Sequence, residues 1–419
     1  MLIEFSVMNF LSFKEKVTLS LEKESGNENE ENTFVFNNEE LLKTAVIYGA
    51  NASGKSNLIK AFTTAILMVR NSNMIPIGGK WDILKPFLFS EDTKNGPSEF
   101  EFIFITNKIK YRYFFSADVN KIYNESLDAY YSQKPTNIFT RKNTAEYSFI
   151  NSDKKTLESI ASKNTENKLF LSTATTWNYE KTKDAFLWFL NSIDTYGSFD
   201  SMLDQDLINY SNNDEDLKEF TLKLLKESDI FIKDLRVNYE EKDVDNSSFI
   251  INNQNQGPLK MKSIKIAMDH EIINSKKQTE IYTLDFEEES SGTKILFALA
   301  PILKRAFEKT KIIIVDELEK SLHPTLVKYI IKLFNNEKLN TKNSQLLFTT
   351  HAISLLSLDL FRRDQIWFTE KNSLTGNSDL YPLDSFSVRK EENIEKGYIN
   401  GRYGAIPFIK DIDSWLEEK

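Results

Sequence analysis

One glycine-rich segment limits the possible folds more than any other part of the sequence: Gly49-Ala50-Asn51-Ala52-Ser53-Gly54-Lys55-Ser56. It matches the pattern G-x-x-x-x-G-K-[ST], follows a β-branched apolar run, and precedes apolar residues at helical spacing. Glycines let the backbone turn tightly so that N–H groups face phosphate oxygens, and the next helix points its positive dipole end there. The segment therefore predicts a phosphate-binding loop in an α/β fold, with Lys55 on the β- and γ-phosphates and the Ser56 hydroxyl on Mg²⁺.

A second feature is an acidic strand end at residues 311–317. Four apolar residues, Ile-Ile-Ile-Val, are typical of a strand buried on both faces of a parallel sheet, and Asp316 and Glu317 follow directly. Adjacent carboxylates at such a position are costly unless they face an ion, a ligand or solvent. Given the phosphate loop, we expect Asp316 to hold Mg²⁺, directly or through water, and Glu317 to activate the attacking water as general base.

Two weaker signals complete the set. Ser290-Ser291-Gly292 precedes an amphipathic stretch at residues 293–307, and such a turn offers N–H and hydroxyl donors to an anion, although an ordinary helix N-cap has the same pattern. His351 follows a buried-strand candidate at residues 345–349. A lone histidine is usually structural, but its place after another strand of the same sheet favours a hydrogen bond to the γ-phosphate.

The first part of the chain is β-rich. Residues 2–7 and 16–21 alternate apolar and polar side chains, which predicts an N-terminal hairpin, and the Glu- and Asn-rich residues 22–32 predict an exposed loop. Period-two patterning returns at residue 99 and continues to about residue 150, with Asn107-Lys108 as a turn.

Helical spacing dominates from about residue 153 to residue 235, and the apolar faces there predict core rather than a cofactor groove. The Asn-rich residues 238–257 predict a loop or a weak hairpin. Strand-like segments near residues 264–268 and 280–286 lead into a second α/β region. We therefore expect an N-lobe at residues 1–150, a mainly helical insertion at 151–259 and a C-lobe at 260–419.

Composition excludes several classes of function. The 419 residues include no cysteine and three histidines, which excludes disulfides, a thiolate nucleophile and a zinc-ribbon site and predicts a cytoplasmic protein. Neither the N-terminus nor the apolar residues 295–303 fit a signal peptide or a membrane span. A net charge of −9 disfavours indiscriminate nucleic-acid binding, so nucleic acid as a partner is possible but not favoured.

The ordered motifs resemble those of ABC-type ATPases, the class that includes RecF-like and SMC heads. The resemblance makes residues 49–56 the Walker A motif, Ser290-Ser291-Gly292 the signature motif, residues 312–317 Walker B, residues 319–324 the D-loop region and His351 the switch histidine. With Asn57 after Walker A and the C-terminal residues 398–408, the chain looks like the AAA-family ATP-binding proteins of bacterial abortive-infection and phage-defence operons, relatives of the ATPase half of OLD-type nucleases.

This resemblance implies a P-loop NTPase fold of ABC type: a two-lobed head with an antiparallel β subdomain and a helical insertion. It implies ATP and Mg²⁺ as cofactors, and self-association in which the signature turn of one subunit caps the ATP of another. Two positions depart from the class: Leu11 stands where RecF-like proteins carry Arg, and no Gln occurs between Asn57 and Ser132, where a Q-loop glutamine is expected.

The expected function is an ATP-hydrolysing switch or sensor in bacterial anti-phage defence. The residues after His351 are too few for a Toprim nuclease domain, so a separate effector, a nuclease or a toxin, is expected. Two alternatives stay open on the sequence: a RecF-like DNA repair clamp that binds duplex ends, and a nucleotide-dependent scaffold with little turnover.

Overall fold

The computed structural model describes residues 1–197, 214–243, 260–320, 322–389 and 391–407. The strands are β1 (Leu2–Met8), β2 (Val17–Ser20), β3 (Thr33–Phe36), β4 (Glu39–Leu42), β5 (Thr44–Tyr48), β6 (Ser98–Thr106), β7 (Ile109–Ala117), β8 (Ile122–Tyr130), β9 (Thr136–Lys142), β10 (Glu146–Phe149), β11 (Ile193–Tyr196), β12 (Asp234–Asp243), β13 (Lys260–Ile273), β14 (Thr279–Asp285), β15 (Ile312–Val315), β16 (Gln345–Thr349), β17 (Ile366–Lys371) and β18 (Ser378–Pro382). The α-helices are α1 (Lys55–Asn71), α2 (Lys154–Ala161), α3 (Phe170–Thr176), α4 (Glu180–Asn191), α5 (Glu215–Glu227), α6 (Ser291–Glu308), α7 (Pro324–Asn335) and α8 (Ile394–Ile399).

The chain divides into two compact units. The first comprises residues 1–197, 306–320 and 327–419, and the second comprises residues 198–305 and 321–326. The sequence predicted three parts, with boundaries after residues 150 and 259. The boundaries of the two compact units do not test that division, which stays a prediction.

A seven-stranded antiparallel sheet, with strand order β10-β9-β8-β7-β6-β1-β2, lies in the first unit. It confirms both the N-terminal hairpin and the β-rich stretch. The turn between β6 and β7 consists of Asn107 and Lys108, whose φ angles are 47° and 64°. Both lie in the left-handed region that a two-residue hairpin turn requires, which is why this dipeptide is a recognisable turn signal.

A six-stranded sheet of order β11-β15-β16-β5-β17-β18 forms the other half of the first unit. All its pairings are parallel except that of β18 with β17. The three central strands are buried along their whole length, as their continuous apolar sequences predict. Their carboxyl ends lead into the phosphate loop, Asp316 and His351, so the sheet collects the predicted motifs at one edge.

Helix α1 packs its apolar face into the main core of the first unit. Phe62 stacks on Phe5 of β1 with ring centroids 3.7 Å apart, and Trp188 of α4 stacks on Phe104 of β6 at 4.1 Å. The periodic apolar residues of α1 are buried in this core, as predicted. The phosphate loop is therefore fixed between a buried strand and a buried helix.

Two features of the first unit were not expected from the sequence. The predicted helical stretch contains strand β11, which pairs in parallel with β15 and extends the central sheet. Residues 22–32 are almost all exposed or half-exposed, as predicted, but the loop is also anchored: the buried Arg362 guanidinium donates to the carbonyl oxygens of Glu24, Gly26 and Glu28. A strand of four residues and hydrogen bonds between distant parts of the chain produce no periodic pattern of apolar residues. Neither strand β11 nor the Arg362 contacts could therefore be predicted from that pattern.

The second unit contains helix α5 and an antiparallel sheet of order β12-β13-β14. The helix and the two predicted strands of this region are confirmed. Residues 244–259, most of the predicted loop or weak hairpin, lie outside the described residues. Helix α6 begins in this unit directly after the Ser290 turn. In the described part of the chain, every helix is too short or too polar to cross a bilayer.

Candidate nucleotide-binding site

The phosphate loop joins β5 to α1 and depends on glycine at its final turn. Gly54 has a φ of 124°, and a Cβ there would lie 2.7 Å from the Ser378 Oγ. Gly49 is as crowded, because a Cβ would lie 2.5 Å from the carbonyl oxygen of Thr369. The two glycines thus let the loop close against β17 and β18, and no larger residue fits at Gly54 without strain.

Lys55 opens helix α1 and is buried. Its Nζ donates to the carbonyl oxygens of Gly49 at 2.7 Å and Ala50 at 3.0 Å, so the ammonium group lies over the loop. Burial lowers the pKa of Lys55 to about 8, against the opposing effect of the Asp316, Glu317 and Glu319 carboxylates. A buried cation that points over a ring of backbone groups is suited to an anionic partner such as a phosphate chain.

The next residues connect the loop to its surroundings. Ser53 Oγ lies 2.6 Å from Thr369 Oγ1, and Asn57 Nδ2 donates to Ser12 Oγ at 2.8 Å. Ser56 is half-buried in the first turn of α1. Leu11, at the position where RecF-like proteins carry Arg, is partly buried and packs against the main core. This position therefore offers apolar packing and no side-chain donor for a phosphate.

Thr349, the last residue of β16, organises both carboxylates that follow β15. Its hydroxyl donates to Asp316 Oδ1 at 2.6 Å and accepts from the backbone N–H of Glu317 at 2.7 Å. The backbone N–H of Leu318 donates to the Thr349 carbonyl oxygen at 3.2 Å. The side chain of Thr349 is fully buried, whereas the two hydrogen bonds of its hydroxyl are partly buried. Sequence reasoning missed this residue, since a threonine that ends a strand carries no chemical signal of its own.

Glu317 has a φ of 50°, a conformation that non-glycine residues rarely adopt. Its Oε1 lies 3.7 Å from His351 Nε2, and the two side chains are 40% and 38% exposed. Burial, followed by the charge of Lys55, lowers the pKa of His351 below its usual 6.5, against the nearby carboxylates. A largely neutral imidazole therefore lies beside the Glu317 carboxylate at neutral pH.

Glu319, which the resemblance places in the predicted D-loop region, has a contact that the sequence did not predict. Its Oε1 accepts from the backbone N–H of His351 at 2.5 Å, which ties the histidine to the turn after β15. The other carboxylate oxygen is buried and has no hydrogen-bond partner among the described residues, and the same is true of the Tyr48 hydroxyl. Glu319 thus fixes where the backbone of His351 lies.

Comparisons with known proteins agree with this geometry. A family model described as "AAA domain, putative AbiEii toxin, Type IV TA system" matches residues 45–357, most of the chain. The chain belongs to this AbiEii-type AAA family. The P-loop ATPase fold that the sequence motifs predicted agrees with this family and with the mixed α/β architecture, in which the phosphate loop joins a buried parallel strand to a helix. No curated protein matches the sequence significantly.

Solved structures similar to this AbiEii-type protein are distant. The SMC head domain from Thermotoga maritima is 15% identical, with 91% of this chain and 98% of that chain covered and a TM-score of 0.41. The cbiO1 protein from Clostridium perfringens, part of the cbiONQ ABC transporter complex, is 13% identical, with 95% and 96% covered and a TM-score of 0.34.

The donor set of this AbiEii-type protein fits a metal–nucleotide complex better than a free ion. Among the described residues, no three His, Asp or Glu side chains form a metal-binding group. Magnesium needs only one or two protein oxygens when substrate phosphates and water supply the rest. The carboxylate of Asp316, which Thr349 orients, and the hydroxyl of Ser56 would supply these protein oxygens.

The turn predicted to be the signature motif, Ser290-Ser291-Gly292, lies in the second unit of this AbiEii-type protein. Ser290 Oγ accepts from the backbone N–H of Thr293 at 3.1 Å, so Ser290 caps helix α6. Ser290 and Ser291 are exposed, and Gly292 is half-buried. The turn is therefore a well-formed N-cap with accessible donors, and its contact with a nucleotide stays a prediction.

Proposed function

We propose that this protein binds and hydrolyses ATP and acts as a nucleotide-dependent switch that controls a separate effector in bacterial anti-phage defence. One observation carries the proposal: neighbouring strands bring Lys55, Asp316, Glu317 and His351 to the same sheet edge, with Glu317 Oε1 3.7 Å from His351 Nε2. This edge combines a phosphate cradle, an oriented carboxylate and a base beside an imidazole. Such a combination suits phosphoryl transfer to water.

Each residue has a distinct part in the proposed reaction. The loop backbone and Lys55 hold the β- and γ-phosphates, while Ser56 and Asp316 hold Mg²⁺, whose charge offsets that of the phosphates. Glu317 accepts a proton from water as the water oxygen bonds to the γ-phosphorus and the bond to the bridging oxygen breaks. His351 donates a hydrogen bond to the γ-phosphate. The products are ADP and phosphate, and the proton leaves Glu317 afterwards.

The switch is proposed to work through ATP-dependent self-association. The exposed donors of Ser290 and Ser291 support a role in capping the ATP of another subunit, since a helix start attracts anions. The printed family description, a toxin of a type IV toxin–antitoxin system, supports a place in a defence system. The effector is proposed to be a nuclease or toxin on another chain.

Steady-state phosphate release and sedimentation velocity test the proposal together. Glu317→Gln removes the base while keeping shape, so we expect turnover to fall by about 100-fold or more, with ATP-dependent association retained. Lys55→Ala is expected to lose both. Glu337→Gln, an exposed carboxylate elsewhere in the same unit, is the matched control. Unchanged turnover in Glu317→Gln, together with no ATP-dependent association, would falsify the proposal.

Two further assays address the switch role. In bacteria that carry the chain with its neighbouring genes, Lys55→Ala is expected to abolish protection from phage in a plaque assay; full protection would contradict the switch. ATP-dependent DNA binding that weakens steeply with salt would instead favour a repair clamp.

A further inference from the structure

Strand β14 forms an edge of the sheet in the second unit and is open along its length. It pairs with β13 on one side, through Thr279 opposite Ile273 to Asp285 opposite Ala267, and among the described residues no strand pairs with its other side. Its first five residues are exposed. An edge strand leaves half of its backbone N–H and C=O groups available for another strand.

Strand β14 has little of the protection that edge strands usually carry: its two charged residues, Glu280 and Asp285, lie near its ends. Its sequence, Thr-Glu-Ile-Tyr-Thr-Leu-Asp, contains no proline and no lysine. The successive residues Ile281 and Tyr282 point to opposite faces of the sheet, yet they are 54% and 59% exposed. Both faces of the edge are therefore uncovered. The strand combines open backbone groups with apolar side chains that another strand would cover.

The charges that flank β14 identify the occupant. Lys276 and Lys277 precede the strand, Glu287 and Glu288 follow it, and all four are exposed. Within the strand, Glu280 offsets one of the two lysines and Asp285 adds to the acids, so the amino end is net basic and the carboxyl end is acidic. Two antiparallel copies would each place the basic end against the acidic end of the other. An unrelated strand would have no reason to match this polarity.

We propose that β14 pairs antiparallel with β14 of a second copy of this chain around a two-fold axis at Tyr282. In that register Ile281 lies opposite Thr283 of the other copy, and the turn that holds Lys277 lies next to the turn that holds Glu287. Opposed aromatic rings and β-branched pairs stabilise antiparallel ladders. The result is one continuous six-stranded sheet across two copies.

This contact differs from the proposed ATP-dependent one. It needs only the backbone edge and its flanking charges, so it forms without nucleotide. A single seven-residue strand pair covers less surface than a standard interface, so we expect association in the micromolar range. Each copy keeps the Ser290 turn for other contacts. The two modes together would assemble copies beyond a dimer.

Disulfide trapping tests the register directly. The chain has no cysteine, so Tyr282→Cys places its only thiol on the proposed axis. Opposed strand residues have Cα atoms about 4.5–5.5 Å apart, within disulfide range. We expect mild oxidation of the full chain, without nucleotide, to give a covalent dimer. Ile273→Cys, on a side chain 76% exposed but one strand further in, is the matched control and should stay monomeric. Equal trapping of both variants, or none with Tyr282→Cys, overturns the proposal.

Charge reversal gives an independent test by sedimentation without nucleotide. Lys277→Glu sets acid against acid at both ends of the pair, and Glu287→Lys sets base against base; each should weaken association about fivefold. Glu287 lies 3.7 Å from Lys294 and is 91% exposed, so its replacement leaves the fold intact. A mixture of the two variants restores complementary ends and should recover the wild-type affinity. A mixture no tighter than either variant alone overturns the pairing. Because ATP is absent, this result is independent of the proposed hydrolysis.

Discussion

Replacing Thr349 with valine keeps the size of the side chain and removes the hydroxyl that organises the acidic strand end. The variant loses the bond to the Asp316 carboxylate, worth about 1.5–3 kcal/mol for a charged acceptor. It also leaves the Glu317 N–H without its acceptor, at a further cost of about 1 kcal/mol where water can partly replace it. We therefore expect the free energy of unfolding to fall by about 2.5–4 kcal/mol. Because Asp316 and Glu317 both lose their orientation, phosphate release should fall about 10- to 100-fold.

Urea unfolding followed by tryptophan fluorescence measures the first effect, and phosphate release at saturating ATP measures the second. Thr349→Ser is the matched control, since it keeps the hydroxyl and loses only a buried methyl group, at a cost of about 1 kcal/mol. The serine variant should retain most of its turnover. If valine and serine are equally stable and equally active, the hydroxyl does not organise the site and the reasoning is wrong.

Three other perturbations have defined outcomes. Gly54→Ala should abolish binding of a fluorescent ATP analogue, because φ is 124° and the new Cβ meets Ser378; unchanged affinity would contradict the required loop geometry. The pKa of Lys55 is about 8 in the folded protein and about 10.5 in the unfolded chain. Burying the charged ammonium group therefore lowers the free energy of unfolding below pH 8, and this penalty disappears as the pH rises towards 10.5. In urea unfolding of nucleotide-free protein, the free energy of unfolding of wild type should therefore rise relative to that of Lys55→Met between pH 8 and 10. A difference between the two free energies that does not change with pH would refute the pKa shift. Arg362→Ala leaves the buried Asp364 carboxylate unpaired and should cost about 3–5 kcal/mol, with faster proteolysis at residues 22–32; cleavage at the wild-type rate would show that Arg362 does not anchor them.

The sequence predicts the parts of the site that carry their own chemistry. The phosphate loop, the acidic strand end and the His351 strand end can each be recognised in the sequence, because binding phosphate or Mg²⁺ requires particular residue types at particular spacings. Their strands are also predictable, since a strand buried on both faces must be apolar throughout. Strand order is not visible in the sequence, so the adjacency of β15, β16 and β5 emerges only from the fold.

The residues that sequence reasoning missed act through contacts across long stretches of chain. Thr349 reaches Asp316, and Arg362 reaches the carbonyl oxygens of Glu24 and Glu28, more than 330 residues away. Neither residue type is unusual where it stands, and neither belongs to a periodic pattern. Their roles depend on which backbone groups the tertiary fold brings within hydrogen-bond distance, and local sequence does not contain that information.

The turn after β15 is held in a strained shape before any ligand is considered. A left-handed φ at Glu317 costs about 1–3 kcal/mol, and such a conformation persists only where its surroundings enforce it. Four hydrogen bonds join the turn to residues 349–351, two through the Thr349 hydroxyl, one through its carbonyl oxygen and one from the His351 N–H to Glu319. His351 therefore cannot shift without disturbing the bonds that orient Asp316 and Glu317. The histidine that we propose to detect the γ-phosphate is thus joined by hydrogen bonds to the turn whose carboxylates we propose to hold Mg²⁺ and to activate water, and this linkage supports the proposed switch.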